Sequence, residues 1–533
     1  MKKLPIGLQT FSKIIEGGYV YVDKTQYVYD LINSANYYFL SRPRRFGKSL
    51  LLDTVAEAFK GNKELFKGLW IYDSDYDFEE HPVIRLDMSS VATEKPEILK
   101  NSILSSLRHQ IREEGLAIDE EAPSDMFKRL IEGLCKKYGK KVVVLIDEYD
   151  KPVIDHLHNV EMAEANRLVI KGFYGILKSS DPYLRFTFLT GVSKFTKTSV
   201  FSELNNLKDI TMMEQYASVC GISEQELDKY FSEHIDSFKK PVWFSENDCL
   251  REKILKWYNG YSWDSINKVI NPFSLLTFFG QQRFGSFWYA SGSPKFLIDL
   301  IKKNPGEYTN IRNPVISEFQ LDAADFNRLE ATPLLFQTGY LTVKEIAYRR
   351  ELPVYVLEIP NNEVREAFGK NIIAAFTESG HSGAENAQWE ISGALDSGDM
   401  QLMLAELRRL FASIPYNLHV DAEAYYHSIF YAVMSVLGYN IMPEASVSSG
   451  RIDAVLELKD KIYVMEFKYK GSHNDASAEE KAALFNKALT DGMEQINSKG
   501  YHRKYIGSGK MIYKAAFAFL GRDDIEMRVE TVD

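Results

Sequence analysis

The feature that most constrains the fold is the segment Arg42-Pro43-Arg44-Arg45-Phe46-Gly47-Lys48-Ser49, which lies between an apolar run and a helical pattern. The run Tyr37–Leu40 predicts a strand, and Leu50–Lys60 predicts a helix that ends at Gly61. A strand that turns through Gly-Lys-Ser into a helix presents backbone N–H groups at the helix start, which favours an anion there. A basic turn before an amphipathic helix is the alternative interpretation.

The segment fits the phosphate-loop pattern G-x-x-x-x-G-K-[ST] except at its first position, where Arg42 replaces glycine. Gly47 lets the backbone close around phosphate, Lys48 is expected to reach the β- and γ-phosphates of ATP, and the Ser49 hydroxyl is expected to bind Mg²⁺. The predicted nucleotide-binding residues of the segment are Arg44, Arg45, Phe46, Gly47, Lys48, Ser49 and Leu50. The arginine that stabilises transition-state charge is Arg44, Arg45 or one from another subunit of a homo-oligomer.

A second apolar run, Val142–Ile146, ends in Asp147 and Glu148. A buried parallel strand places such acids at the carboxyl edge of its sheet, where ligands bind in α/β folds. We expect Asp147 to hold Mg²⁺ and Glu148 to act as general base on the attacking water. A later strand is followed by Ser193, the candidate sensor of the γ-phosphate; a turn residue that caps the next helix is an equally good interpretation of Ser193.

Pattern changes along the chain predict four regions. Residues 1–212 alternate continuous apolar runs with helices, which predicts a parallel sheet with helices on both faces. Residues 213–350 are mainly helical, residues 351–415 form a helical connector, and residues 416–533 form a small α/β module. That module has a helix over Ala422–Leu437, two strands, a long helix over about residues 478–498 and a late strand.

The last module places two carboxylates and a lysine on neighbouring strands. Glu466 and Lys468 are two residues apart, so both side chains lie on one face of their strand, and Asp453 on the preceding strand can reach that face. Asp453 and Glu466 would bind Mg²⁺ or Mn²⁺, and Lys468 would position the attacking water for phosphodiester hydrolysis. Glu423 could add a carboxylate, and Gln495 could orient the lysine. An exposed strand face is the competing interpretation, because E-x-K is common by chance.

The overall charge limits the partners. The chain of 533 residues has a formal net charge of −10 and 45% hydrophobic residues, which excludes a disordered chain and disfavours a general nucleic-acid coat. Basic residues nevertheless cluster beyond the long helix, where they would follow a nucleic-acid backbone or form a solvated face: Lys499, Arg503, Lys504, Lys510 and Lys514.

The sequence also predicts the compartment. No window approaches 18 consecutive apolar residues and no apolar stretch follows the basic N-terminus, so we expect neither a membrane span nor a secretory signal. The cysteines are Cys135, Cys220 and Cys249, with no CxxC pair, which is typical of a cytoplasmic protein.

Taken together, these phrases resemble a bacterial and archaeal family that joins an AAA-ATPase-like region to a C-terminal PD-(D/E)XK nuclease-superfamily domain. The resemblance spans nearly the whole chain and rests on the phosphate-loop segment, Ile146–Pro152, Trp257–Tyr261, Gly450–Asp453 and Glu466–Lys468. It implies a P-loop NTPase sheet, a middle region like a lid or winged helix, and a restriction-endonuclease-like domain. Arg42 departs from the general NTPase pattern but is similar to this family's own form.

Three functions are compatible with the sequence. The first is an ATP-binding NTPase that is coupled to a metal-dependent nuclease, with DNA rather than RNA as its expected substrate. The second is an ATP-dependent switch whose nuclease-like domain binds a partner without cutting. A third, an ATPase without any nucleic-acid role, would require the C-terminal acids to face solvent.

Overall fold

The computed structural model of the protein describes most of the chain in two compact units. Its described residues up to Glu363 form the first unit, and those from Val364 onward form the second. The described residues are 1–157, 159–194, 206–242, 244, 248–290, 314–322, 331–376, 380–412, 430, 434, 440–447, 450–458, 460–471, 476–521 and 524–532.

The first unit is built on a five-stranded parallel sheet. Its strands, in chain order, are β1 (Tyr37–Ser41), β2 (Val83–Asp87), β3 (Val142–Asp147), β4 (Leu184–Gly191) and β5 (Lys208–Asp209). They lie side by side in the order β2-β3-β4-β1-β5. Every residue of β1 and β3 is buried, so both faces of the sheet are covered. The predicted α/β fold with a parallel sheet is therefore confirmed.

Helices precede and connect these strands. They are α1 (Phe11–Glu16), α2 (Thr25–Ser34), α3 (Lys48–Phe59), α4 (Pro96–Glu113), α5 (Pro123–Tyr138), α6 (Lys151–Ile154) and α7 (Val160–Ser179). Because β4 lies between β1 and β3, the loop that follows β1 and the acids that end β3 flank the same strand end. This strand order brings the two predicted nucleotide motifs to one sheet edge.

The rest of the first unit is mainly helical, as predicted. Its helices are α8 (Glu224–Asp236), α9 (Leu250–Tyr258), α10 (Pro272–Gln281), α11 (Phe287–Ala290), α12 (Glu318–Asp322) and α13 (Ala331–Thr338). Helices α8 to α11 enclose an aromatic core that includes Phe231, Tyr258, Phe278 and Phe279. The short strands β6 (Ile222–Ser223) and β7 (Val269–Ile270) pair next to this core.

This unit also contains a three-stranded antiparallel sheet that was not predicted from the sequence. Its strands are β8 (Val315–Ser317), β9 (Thr342–Arg349) and β10 (Leu352–Glu358), in the order β8-β10-β9. Arg350 and Glu351 form the β9–β10 turn with φ values of 49° and 69°. The boundary predicted after residue 350 falls in this turn, and the four predicted regions stay predictions.

Among the described residues, the second unit combines four helices with a mixed sheet. Three helices precede the sheet: α14 (Asn362–Phe376), which begins at the end of the first unit, α15 (Gly380–Ser397) and α16 (Met400–Ala412). The strands are β11 (Asn440–Val447), β12 (Gly450–Glu457), β13 (Lys461–Tyr469), β14 (Met511–Leu520) and β15 (Asp524–Val532), and the fourth helix, α17 (Ala478–Lys499), lies between β13 and β14 in the chain.

In this sheet the strands follow chain order, and β13 and β14 are parallel because α17 connects them. The other strand pairs are antiparallel. The sequence predicted β12, β13, α17 and β14 but not the outer strands β11 and β15. The helix predicted at Ala422–Leu437 lies outside the described residues, apart from Phe430 and Met434.

Among the helices that the structure describes, none is long and apolar enough to cross a membrane.

The end of β4 must be a glycine, because Tyr149 and Asp150 pack directly against it. A Cβ added at Gly191 would lie 2.5 Å from Tyr149 Cε1 and 2.6 Å from Asp150 Oδ1. We therefore predict that Gly191→Ala lowers the free energy of unfolding by about 1–3 kcal/mol. Gly172→Ala in α7 is the control, because a Cβ there meets nothing within 4 Å. Denaturant unfolding of both variants would contradict this packing if Gly191→Ala were as stable as the wild type.

Candidate functional site

The phosphate-loop segment turns between β1 and α3 through two left-handed residues. Arg45 has a φ of 68° and Gly47, directly before α3, has a φ of 94°. A Cβ at Gly47 would meet nothing within 4 Å, so the glycine is required by its backbone angle rather than by space. Helix α3 therefore begins at the loop, where the backbone N–H groups of a helix start favour an anion, and its residues Ser49 and Leu50 are partly exposed.

Lys48 lies buried against the loop. Its Nζ donates to Arg42 O at 2.9 Å and to Pro43 O at 3.1 Å. These bonds satisfy part of the ammonium in the absence of a ligand, and a phosphate in the loop would compete for the same group.

The acids that end β3 lie at the same sheet edge. Asp147 is buried, and its Oδ1 accepts hydrogen bonds from the Thr190 hydroxyl at 2.7 Å and from Glu148 N at 3.0 Å. Glu148 adopts a left-handed conformation with a φ of 48°. Burial raises the pKa of Glu148, and the positive charges of Lys48 and Arg44 oppose that rise. The structure thus brings Lys48, Asp147 and Glu148 together.

The predicted sensor Ser193 is hydrogen-bonded to the buried Asp150. Its Oγ and N both donate to Asp150 Oδ2 at 2.6 Å, and its carbonyl accepts from the Tyr149 hydroxyl at 2.9 Å. Burial raises the pKa of Asp150, and the hydrogen bonds from Ser193 oppose that rise. In this arrangement the Ser193 hydroxyl serves Asp150, and its role toward a phosphate stays a prediction.

Two acids at this edge, Asp150 and Asp87, were not predicted as site residues from the sequence. Asp150 joins the end of β4 to the segment after β3, as described above. Asp87 ends β2 in register with Asp147 on β3. The signal for Asp87 was the apolar run Val83–Leu86, which ends in aspartate as the run before Asp147 does.

The remaining loop side chains contact the mainly helical region of the same unit. Arg44 O accepts from Trp288 Nε1 at 3.3 Å, and the Arg45 guanidinium lies 5.0 Å above the Phe273 ring. Phe46 is buried with its ring 4.8 Å from that of Tyr261. Phe46 is therefore a packing residue of the loop, whereas Arg44 and Arg45 are placed beside it with their charged groups partly or wholly exposed.

The second predicted site assembles on the sheet of the second unit. Lys468 Nζ donates to Glu466 Oε1 and to Gln495 Oε1, both at 2.9 Å. Asp453 Oδ2 accepts from Phe467 N at 2.9 Å, which holds its carboxylate across the β12–β13 pair. We call Asp453, Glu466, Lys468 and Gln495 the carboxylate cluster. Glu423 lies outside the described residues.

Small residues allow Gln495 to reach the cluster. A Cβ added at Gly492 would lie 3.0 Å from Ala516 Cβ on β14 and 3.7 Å from Lys468 Cγ. Helix α17 therefore approaches the sheet closely one turn before Gln495. The opposite face of β13 is apolar, where Phe467 stacks on Phe517 with ring centroids 5.3 Å apart.

Glu466 is only 1% exposed, and its Oε2 has no hydrogen-bond donor among the described residues. Burial and the nearby Asp453 carboxylate raise the pKa of Glu466 to about 7, while Lys468 opposes that rise. An unsatisfied buried carboxylate oxygen beside a second carboxylate fits a hard divalent cation such as Mg²⁺ or Mn²⁺. The described residues contain no group of three or more His, Cys, Asp or Glu side chains arranged for a metal.

The basic run beyond α17 is partly neutralised within the unit. Lys510 Nζ lies 2.7 Å from Glu457 Oε1, and Lys514 Nζ lies 2.9 Å from Glu530 Oε2. Arg503 and Lys504 are exposed. The positive surface beside the carboxylate cluster is therefore smaller than the sequence alone indicated.

The raised pKa of Glu466 predicts a pH-dependent stability. The folded chain holds this proton more tightly than the unfolded chain, whose glutamate has the ordinary pKa near 4.5. The stabilisation is therefore complete below pH 4.5 and lost as the pH rises through about 7. In EDTA at pH 8, we expect Glu466→Gln to be more stable than the wild type by about 2 kcal/mol.

Denaturant unfolding at pH 5 and pH 8 measures this difference, with Glu494→Gln on the exposed side of α17 as the matched control. A Glu466→Gln variant less stable than the wild type at pH 8 would contradict the assignment of a costly buried charge.

Two family models match separate parts of the chain. A family model described as a predicted AAA-ATPase, AAA-ATPase-like, matches residues 5–201. A second model, described as the PD-(D/E)XK nuclease superfamily, matches residues 421–528. These matches contain the phosphate-loop segment with its acids and the carboxylate cluster, respectively.

One relative matches almost from end to end. The "Uncharacterized protein in vnfD 5'region" of Azotobacter chroococcum mcd 1 is 34% identical over 524 residues, which cover 97% of this chain and 96% of the relative. The two domains suggest an ATPase and a nuclease-like function. The chain belongs to the family that joins a predicted AAA-ATPase-like region to a C-terminal PD-(D/E)XK nuclease-superfamily domain.

Proposed function

We propose that the protein binds and hydrolyses ATP in its first unit and cleaves DNA in a metal-dependent reaction in its second. The observation that carries the proposal is a pair of carboxylates with a raised pKa, the partly buried Glu148 and the buried Glu466, each close to a lysine. A buried carboxylate with a raised pKa is typical of a site that transfers protons or binds metal.

In the first unit, Lys48 and the backbone N–H groups of the loop would bind the β- and γ-phosphates of ATP. Ser49 and Asp147 would hold Mg²⁺, which neutralises charge on the transferred phosphoryl group. Glu148 would accept a proton from the attacking water, a role that its raised pKa supports. Ser193 is proposed to respond to the γ-phosphate through its bond to Asp150.

Transition-state charge in this unit would be stabilised by an arginine. Arg44 and Arg45 are candidates within the chain, because their guanidinium groups flank the loop and Arg45 is exposed. An arginine supplied by a second copy of the chain would make the active form a homo-oligomer.

In the second unit, Asp453 and Glu466 would hold Mg²⁺ or Mn²⁺, with Glu423 as an additional carboxylate. The bound ion supplies charge neutralisation at the scissile phosphate and a lowered pKa of the attacking water. Lys468 would orient that water, and Gln495 would hold Lys468 in place through the 2.9 Å bond to its ammonium. Exposed basic side chains such as Arg503 and Lys504 would contact the DNA backbone.

The environment of the cysteines supports a cytoplasmic location. Cys135, Cys220 and Cys249 are all free thiols in the structure. Thiols stay reduced in the cytoplasm, whereas secreted domains of comparable cysteine content usually pair them.

We predict that Glu148→Gln separates ATP binding from hydrolysis. The amide keeps the shape of the side chain but cannot accept a proton, so kcat should fall at least about 100-fold while ATP affinity changes less than about threefold. Phosphate release and binding of a fluorescent ATP analogue measure the two effects. Exposed Glu161→Gln on α7 is the control. Normal turnover by Glu148→Gln would contradict the general-base role, and Lys48→Ala should lose ATP binding itself.

We predict that Lys468→Ala abolishes Mg²⁺- or Mn²⁺-dependent DNA cleavage, with a rate at least about 100-fold lower, because the attacking water and Glu466 both lose their cationic partner. ATP binding should be unchanged. Lys481→Ala is a matched control, since Lys481 lies on α17 in an ion pair with Asp524 instead.

Linear, circular and single-stranded DNA should be tested. Unchanged cleavage by Lys468→Ala would refute the catalytic assignment. No cleavage by the wild type, together with ATP-dependent oligomerisation, would favour a switch that binds a partner without cutting.

A further inference from the structure

The phosphate loop of this chain begins with a buried arginine. Arg42 is fully buried, and its Nη1 donates to Ser41 O and to Thr211 O, each at 2.9 Å. Its Nη2 donates to Tyr216 O at 3.1 Å. The guanidinium therefore points away from the phosphate side of the loop and into the segment that follows β5.

The flat face of the same guanidinium is also covered. Its Cζ lies 3.8 Å from the centre of the Trp263 ring, within the range of a cation–π contact. Burial lowers the pKa of Arg42 to about 10, which still leaves the group charged at neutral pH. Three backbone carbonyl oxygens and an aromatic face thus compensate this charge, whereas Arg42 Nε is buried without an acceptor among the described residues.

The backbone of Arg42 connects this anchor to the phosphate site. Arg42 N donates to Gly191 O at the end of β4 at 3.1 Å. Arg42 O accepts from Lys48 Nζ, the ammonium expected to bind the phosphates. One residue therefore links the sheet edge, the segment after β5 and the position of Lys48.

Two further loop residues, Pro43 and Phe46, also contact segments outside the loop. Phe46 O accepts from Gly221 N at 3.2 Å, and the Phe46 ring lies 5.6 Å from that of Trp263. Pro43 packs against Gly339 so closely that a Cβ on that glycine would lie 2.8 Å from Pro43 Cβ. Contacts with the mainly helical region therefore support this loop. A standard phosphate loop instead relies on its first glycine to form the turn.

We propose that Arg42 is a positioning residue of the nucleotide site, which holds the loop in its phosphate-binding shape by linking it to residues 211–216 and Trp263. The role rests on the proposed ATP binding by this loop. It follows that the glycine of the general phosphate-loop pattern would weaken nucleotide binding in this chain rather than improve it.

The test compares nucleotide affinities of Arg42→Gly, Arg42→Met and Arg42→Lys in the full chain, with a fluorescent ATP analogue and Mg²⁺. Gly restores the general pattern, Met fills the volume without donors, and Lys keeps the charge and some donors. We expect Arg42→Gly and Arg42→Met to bind at least about tenfold more weakly than the wild type, because three buried carbonyls lose their donors. Arg42→Lys should lie between them and the wild type.

A control and a stability measurement separate positioning from folding. Arg283→Gly removes an exposed arginine of the same region, which lies 5.6 Å from the Phe287 ring, and should leave the affinity within about twofold. All affinities are measured below the thermal midpoint of each variant. If Arg42→Gly does not fold, the affinities of the other two variants still test the proposal. Positioning by hydrogen bonds predicts tighter nucleotide binding by Arg42→Lys than by Arg42→Met, whereas a packing role alone predicts that Arg42→Met binds at least as tightly.

Two results would overturn the role of Arg42: wild-type affinity in Arg42→Gly, or equal affinities of the Met and Lys variants and the wild type. No nucleotide binding by the wild type would instead refute the proposed function of the loop.

Discussion

The cost of burying charge is the constraint on which both sites depend. A buried ion is tolerated when hydrogen bonds or opposite charges replace the water it has lost. Two nitrogens of the Arg42 guanidinium meet this condition through backbone carbonyls, although its Nε is buried without an acceptor among the described residues. Asp150 meets the condition through the N–H and hydroxyl groups of Ser193. Glu466 has one oxygen that is buried without a donor among the described residues. Arg42 and Asp150 organise the fold, and the anionic oxygen of Glu466 marks where a cation fits.

The two units use this constraint differently. In the first, the strand order places β4 between the phosphate-loop strand and the strand that ends in Asp147, so the charges meet at one sheet edge. In the second, the charges lie on the face of a sheet and are held by the close approach of α17. Stability and the proposed function therefore oppose each other at Glu466, because a bound metal would need its ionised form and burial disfavours that form.

Much of the fold could be predicted because strands buried on both faces appear as continuous apolar runs, as Val142–Ile146 does. The hairpin of β9 and β10 could not, because its turn uses Arg350 and Glu351 at positive φ instead of the Asn-Gly that signals such a turn. The site residues within motifs, such as Lys48 and Glu466, were predictable from spacing. Asp87 was not, since its meaning comes from its register with Asp147. The partners of Arg42 were also out of reach, because Thr211 and Tyr216 lie 169 and 174 residues further along the chain.

We propose that nucleotide bound in the first unit controls a metal-dependent nuclease site in the second. The most direct test is the rate of Mn²⁺-dependent DNA cleavage by the wild type and by Lys48→Ala, each without nucleotide, with ATP and with ADP. We predict that ATP changes the cleavage rate of the wild type several-fold and leaves the cleavage rate of Lys48→Ala unchanged. A tenfold change in rate would correspond to about 1.4 kcal/mol of coupling free energy. Cleavage at one rate in every nucleotide state of the wild type would contradict this proposal.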